Sequence, residues 1–93
     1  MEDIVKILIE RGYPENAAMV VAGKLSNLTG QFKEAALAWL NESREPIVAS
    51  NGYSTKSLME KYPGMTYPAA LLSIEWLERD PEKAKPIIEK GIK

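Results

Sequence analysis

Cysteine and histidine are both missing from the 93-residue chain. Their absence excludes a disulfide framework, a thiolate or imidazole zinc site, and any serine or cysteine nucleophile that relies on a histidine base. It also removes the side chain that titrates by default near neutrality. Excess charge of either sign is lacking too, since 12 basic against 13 acidic side chains leave a formal charge of -1. Such a balance creates no field that gathers phosphates or anionic lipid, which argues against nucleic acid and membrane surfaces as partners. The halves differ only slightly: residues 1–46 carry five basic and seven acidic groups (net -2), and residues 47–93 carry seven and six (net +1). No apolar run approaches the ~20 residues that span a bilayer. The start, Met1-Glu2-Asp3, is acidic where a secretory leader is basic, and the apolar stretch from Ile4 to Ile9 is short for one. A cytoplasmic protein is the expectation.

What the chain does contain is the composition of a globular protein, 45% hydrophobic and 27% charged residues. A chain of this length hides roughly 60–70% of its unfolded surface without staples. The expectation is a single domain over residues 1–93, with a three-helix part at 1–43, a connector at 44–53 and further helices at 54–93 packed on the first part.

Apolar periodicity predicts an all-α fold, a compact bundle of five to six short helices. Ile4, Val5, Ile7, Leu8 and Ile9 form the stripe of a first helix, with Asp3 as its cap and Gly12 placed to end it in a left-handed turn. Pro14 fits the first turn of a second helix, whose face is Ala17, Ala18, Val21, Ala22 and Leu25 and which runs to about Ser26. Gly23 inside it weakens it by about 1 kcal/mol relative to alanine, unless a neighbour needs close approach. Phe32, Ala35, Ala36, Trp39 and Leu40 give the third helix its core-facing spacing.

From Asn41 to Tyr53 the signals become Pro46, Ile47-Val48 and the turn dipeptide Asn51-Gly52. They read as a partly extended connector. A hairpin is the alternative, disfavoured because only one side of the turn is apolar and an isolated hairpin is marginal in water. Ser54 caps a short fourth helix holding Leu58, Met59 and Tyr62, stopped by Pro63-Gly64. Thr66 caps the fifth, which tolerates Pro68 in its first turn and is apolar around most of its circumference, as a central helix is. Asp80-Pro81-Glu82 starts a sixth with Ala84, Ile87 and Ile88 inward and an end at Gly91; Pro86 predicts a kink or restart there.

Three features in residues 1–43 carry a family likeness: Arg11-Gly12-Tyr13 after the first helix, Gly30-Gln31-Phe32-Lys33-Glu34-Ala35 at the entry to the third, and Ala36-Leu37-Ala38-Trp39-Leu40 at its close. Together they resemble a ubiquitin-associated (UBA) domain, a three-helix bundle with a Met-Gly-Phe/Tyr loop after helix one. The resemblance implies a protein-binding surface formed by that loop and the end of helix three. Two departures stand beside it. Arg11 occupies the place of the family's Met, whose flexible stem supplies part of the apolar ubiquitin contact, which weakens the case for ubiquitin itself. The stretch from Gly12 to Leu40 is also about one helical turn longer than usual, with the second helix as the place for the extra turn. Residues 44–93 carry no such likeness.

Tyr13 either anchors a partner or packs against helix three with its hydroxyl wet, and packing is favoured. Trp39 and Trp76 read first as core filling. Tyr53, Tyr62 and Tyr67 with Met59 and Met65 gather around the turn between helices four and five, where amphipathic rings and pliable sulfurs suit a binding hot spot as well as internal packing. The candidate partner-binding residues are therefore Arg11, Gly12, Tyr13 and Leu40, and Tyr62, Met65 and Tyr67.

The function expected is a non-enzymatic helical protein-interaction module with an unidentified protein partner and no metal or cofactor. The alternative is a nucleic-acid-associated regulator using helices four and five as a helix-turn-helix. Against it, the would-be recognition helix offers Ala69, Ala70, Leu71, Leu72, Ile74 and Glu75 where base-reading side chains belong. For chemistry there is a carboxylate pair, Glu75 and Glu78, one turn apart and close enough to perturb each other if buried together, but no companion group supports them. Lys83, Lys85, Lys90 and Lys93 alternate with Glu82 and Glu89 as a solvated helix face does. The oligomeric state is left open, since so apolar a fifth helix suits either a monomer's centre or a dimer seam.

Overall fold

In the computed structural model, which describes residues 2–90, side chains three and four apart wind the chain into an all-α fold. Six helices are formed among the described residues: α1 (Glu2–Glu10), α2 (Glu15–Ser26), α3 (Gly30–Glu42), α4 (Thr55–Lys61), α5 (Tyr67–Arg79) and α6 (Pro81–Lys90). Between α3 and α4 lie two short strands, β1 (Ala49–Ser50) and β2 (Tyr53–Ser54). The chain divides into two units, Met1–Arg44 and Glu45–Lys93. No helix among the described residues is long and apolar enough to cross a membrane.

In the first unit α1 ends in a Schellman motif: the Gly12 N–H donates to the Ile9 carbonyl at 3.0 Å and the Tyr13 N–H to that of Leu8 at 3.0 Å. Gly12 carries the positive φ of +101° that the motif demands and that only glycine adopts without strain. The helix already includes Asp3 and starts at Glu2, so Asp3 is not its cap. Pro14 is likewise one position outside α2, with its carbonyl accepting the first helical bond from the Ala18 N–H at 2.8 Å. Ala18, Ala22 and Leu25 form the buried stripe of α2, and the small size of the two alanines lets it pack closely on α1, where Leu8 is fully buried. Phe32, Ala35, Ala36 and Leu40 close the core from α3. Burying a ring such as Phe32 stabilises by about 1.5–3 kcal/mol. An alanine Cβ built at Gly23 meets nothing within 4 Å, so no neighbour in the fold requires a glycine there.

The second unit is arranged around α5, which touches α4, α6 and both strands. Tyr67, Pro68, Ala70, Leu71, Ile74 and Leu77 are its buried residues, which fits the central place its broad apolar surface predicts. Residues 49–54 form the hairpin that the sequence disfavoured: Ala49 pairs with Ser54 and Ser50 with Tyr53 in antiparallel register. Asn51 (φ 54°) and Gly52 (φ +83°) take the positive angles of a tight two-residue turn. Tertiary anchors offset the weakness of so short a ribbon. The Asn51 amide donates to the Leu77 carbonyl at 2.6 Å, at the end of α5. Buried Thr55 accepts from the Val48 N–H at 3.2 Å and donates its own N–H to the Val48 carbonyl at 2.9 Å.

Ser54 and Ser57 form a reciprocal capping box at α4, each hydroxyl accepting the other's backbone N–H, at 3.0 and 2.8 Å. Thr66 caps α5 by accepting from the Ala69 N–H at 3.4 Å. Helix α6 runs through Pro86 without a restart. Its inward stripe is Ala84 and Ile88, whereas Ile87, expected inside, is 51% exposed. One position is about 100° of rotation, and the narrow contact of a short helix covers two residues four apart but not the next one round. The helix end expected at Gly91 lies outside the described residues.

Candidate partner-binding site

Arg11 follows α1 directly, and the Schellman turn aims its side chain at the end of α3. One terminal nitrogen donates to the Trp39 carbonyl at 2.6 Å, and the other donates to the Leu40 carbonyl at 2.9 Å and to the Ser43 hydroxyl at 3.0 Å. The guanidinium also lies over the Trp39 ring, 4.5 Å from its centroid. Helix C-termini leave carbonyls without intrahelical partners and concentrate negative partial charge, so a cation with a planar fork is well matched to this end. Ser43, in the left-handed conformation (φ 60°), turns the chain out of the helix while its N–H bonds back to the Trp39 carbonyl at 3.1 Å. The loop at 11–13 and the end of α3 are thereby fixed together as one surface.

The residues expected to form that surface are not equally available. Gly12 is exposed, Arg11 and Tyr13 are half-buried, and Leu40 is only 5% exposed because it belongs to the α3 core stripe. Leu40 is thus corrected from a contact residue to a core residue, and Trp39, half-buried beside Arg11, takes its place at the surface. Tyr13 does not leave its hydroxyl wet: the oxygen is buried and has no hydrogen-bond partner. An orphaned phenol inside a fold costs about 1–3 kcal/mol relative to a satisfied one.

The second candidate group lies in the other unit. Tyr67 is 2% exposed, and its hydroxyl donates to the Pro46 carbonyl at 2.6 Å, so it too is corrected to a core residue. Burial, with a smaller contribution from the negative charge of Glu45, pushes its pKa up to about 12. Tyr62 donates to the Ile88 carbonyl, and Tyr53 donates to the Glu89 carboxylate at 2.9 Å. The Glu89 bond, followed by burial and the carboxylate's charge, raises the Tyr53 pKa. These tyrosines therefore hold α4 and the hairpin to α6. Tyr62, Pro63, Gly64, Met65, Thr66 and Ala69 still line an open groove of about 360 Å³, so Tyr62 and Met65 keep accessible surface.

The chain matches no protein-family model, no curated protein and no solved structure.

On α5 the side chains of Ala70, Leu71 and Ile74 are turned into the unit's core rather than outward. Glu75 accepts from Arg79 at 3.1 Å, one turn on, while Glu78 is exposed. Among the described residues no three acidic side chains are grouped so as to hold a metal ion. The first surface also includes Ser43 and Trp39, the latter read from the sequence first as core filling. Trp39 was legible only as an apolar helical position, and nothing in the sequence links Ser43 to a residue 32 positions earlier.

Proposed function

We propose that the chain is a non-enzymatic protein-interaction module, UBA-like in its first unit, that engages a protein partner through the loop at Arg11-Gly12-Tyr13 and the adjoining end of α3. The observation that carries this reading is the Arg11 bracket, which joins the two segments that the UBA resemblance assigns to partner binding. On this reading the extra helical turn noted in the sequence belongs to the twelve-residue α2. Arg11 spends its terminal donors on α3 instead of presenting an apolar side chain, so the partner we propose is a protein other than ubiquitin. A cytoplasmic setting belongs to the same proposal.

Site-specific photo-crosslinking in a native extract tests it. A benzophenone side chain placed at exposed Ile9 or Asn41 is expected to capture the same protein, and one at Gln31, on the opposite end of α3, is expected to capture none. Equal capture from Gln31, or recovery of nucleic acid in place of protein, would refute the proposal. Titrating the isotopically labelled chain with ubiquitin, following Gly12, Tyr13 and Ser43, tests the choice of partner: resonances that shift saturably would reject the exclusion of ubiquitin.

A further inference from the structure

The turn of the hairpin carries a reactive dipeptide that the partner surface does not use. Of the four asparagines, Asn16, Asn27, Asn41 and Asn51, the last alone precedes a glycine. The side-chain amide carbon of an asparagine lies within ring-closing reach of the next backbone nitrogen, and a following glycine has no Cβ to obstruct that closure. Both turn residues are exposed, and a Cβ built at Gly52 would meet nothing within 4 Å, so water has free access. The Asn51 amide is nevertheless engaged. Its nitrogen donates to the Leu77 carbonyl at 2.6 Å and to the Ser50 hydroxyl at 3.3 Å. Leu77 has a particular need of that donor: the residue four positions on, whose N–H would serve its carbonyl in a continuing helix, is Pro81, and proline has no N–H.

From this arrangement we infer that Asn51 is a site of spontaneous covalent conversion, held in check by its bond to Leu77, and that conversion releases the hairpin from α5. In the reaction the Gly52 nitrogen attacks the side-chain carbonyl carbon (Cγ) of Asn51 and gives up its proton. The new C–N bond closes a succinimide, and Nδ2 leaves with that proton as ammonia. Water then opens the ring at either carbonyl, giving aspartate or isoaspartate with no change of oxidation state. The fold opposes the first step in two ways. Donating to Leu77 holds the amide toward α5, whereas ring closure must turn Cγ onto the Gly52 nitrogen. A hydrogen bond from Nδ2 also strengthens the amide's own resonance, which makes Cγ a poorer electrophile. Neither product remakes the anchor. Aspartate presents an acceptor with negative charge to a carbonyl at the negative end of α5, and isoaspartate routes the backbone through an additional carbon, which breaks the two-residue turn. The inference stands apart from the proposed partner surface, whose residues belong to the first unit.

Incubating the full chain and a synthetic peptide of residues 45–56 in the same neutral buffer tests the inference. Trypsin releases the same fragment, 45–56, from the chain, and Asn51 is its only asparagine, so mass spectrometry follows the gain in mass as this amide becomes an acid. The expected result is conversion in both, at least about tenfold slower in the folded chain, and at the peptide's rate once urea unfolds the chain. Converted chains carry an extra negative charge and separate by ion exchange. In them the Thr55 N–H, which bonds to the Val48 carbonyl, should exchange its hydrogen at least about tenfold faster than in the parent. Asn51→Asp makes the first product directly and should show the same loss of protection. An inert peptide, equal rates in folded chain and peptide, or undiminished Thr55 protection in the converted chain overturns the inference.

Discussion

Replacing Arg11 by Met, the residue at this place in the UBA pattern, isolates what the guanidinium does. The substitution keeps an apolar stem able to lie on Trp39 and deletes the donors to the Trp39 and Leu40 carbonyls and the Ser43 hydroxyl. A hydrogen bond from a charged group contributes about 1.5–3 kcal/mol, and a cation over an exposed aromatic face adds about 0.5–1 kcal/mol. Two effects reduce the sum. The site is half-buried, so water reaches the freed carbonyls, and releasing the long side chain recovers up to about 2 kcal/mol of rotamer freedom. The net loss expected for Arg11→Met is about 2 kcal/mol. Lys, which keeps a charge worth about 0.3–1 kcal/mol near the helix end but lacks the fork, should lose about half as much. One tryptophan lies in each unit, so in a Trp76→Phe background the fluorescence of Trp39 reports the first unit alone during urea unfolding. Equal stability of the Met variant and its parent would show that the bracket contributes nothing and that the surface at 11–13 is not held by it.

Asn51→Ala should lower the stability of the second unit by about 2 kcal/mol, from roughly equal losses of the bond to Leu77 and of a residue that tolerates left-handed backbone; urea unfolding followed by Trp76 fluorescence measures it. Tyr67 has a folded-state pKa of about 12 against an ordinary value of about 10, so the unfolded chain loses this proton first. Its contribution is complete below pH ~10 and falls as pH rises from ~10 through ~12, and Tyr67→Phe should remove that part of the decline; parallel curves for the two proteins across this range would contradict the assignment.

Which features were legible beforehand follows from how far apart the interacting groups lie along the chain. Gly12, Ser54 and Thr66 act on backbone groups within a few residues, and each stands where the sequence placed it as a helix terminator or cap. Leu58, Ile74 and Ile88 are buried because they recur at helical spacing, which a sequence displays directly. Asn51-Gly52 announced a turn, but the hairpin forms because Leu77 and Val48 supply partners, and those contacts are invisible in a local window. Tyr67 and Leu40 looked equally suited to a partner or a core, and only the packing of their helices made both of them interior.

By itself the sequence determined the helices, their faces and most of their ends, together with a chemistry stripped of thiol and imidazole. Those properties depend on bonds between near neighbours or on composition alone. Tertiary structure decided that Arg11 closes the end of α3, 28 residues away, that Ile87 faces outward and that Met19 and Val20 stand uncovered. A helical stripe fixes which side chains share a face, whereas the width of that stripe hidden from water depends on what packs against it, and that is settled only when distant segments meet.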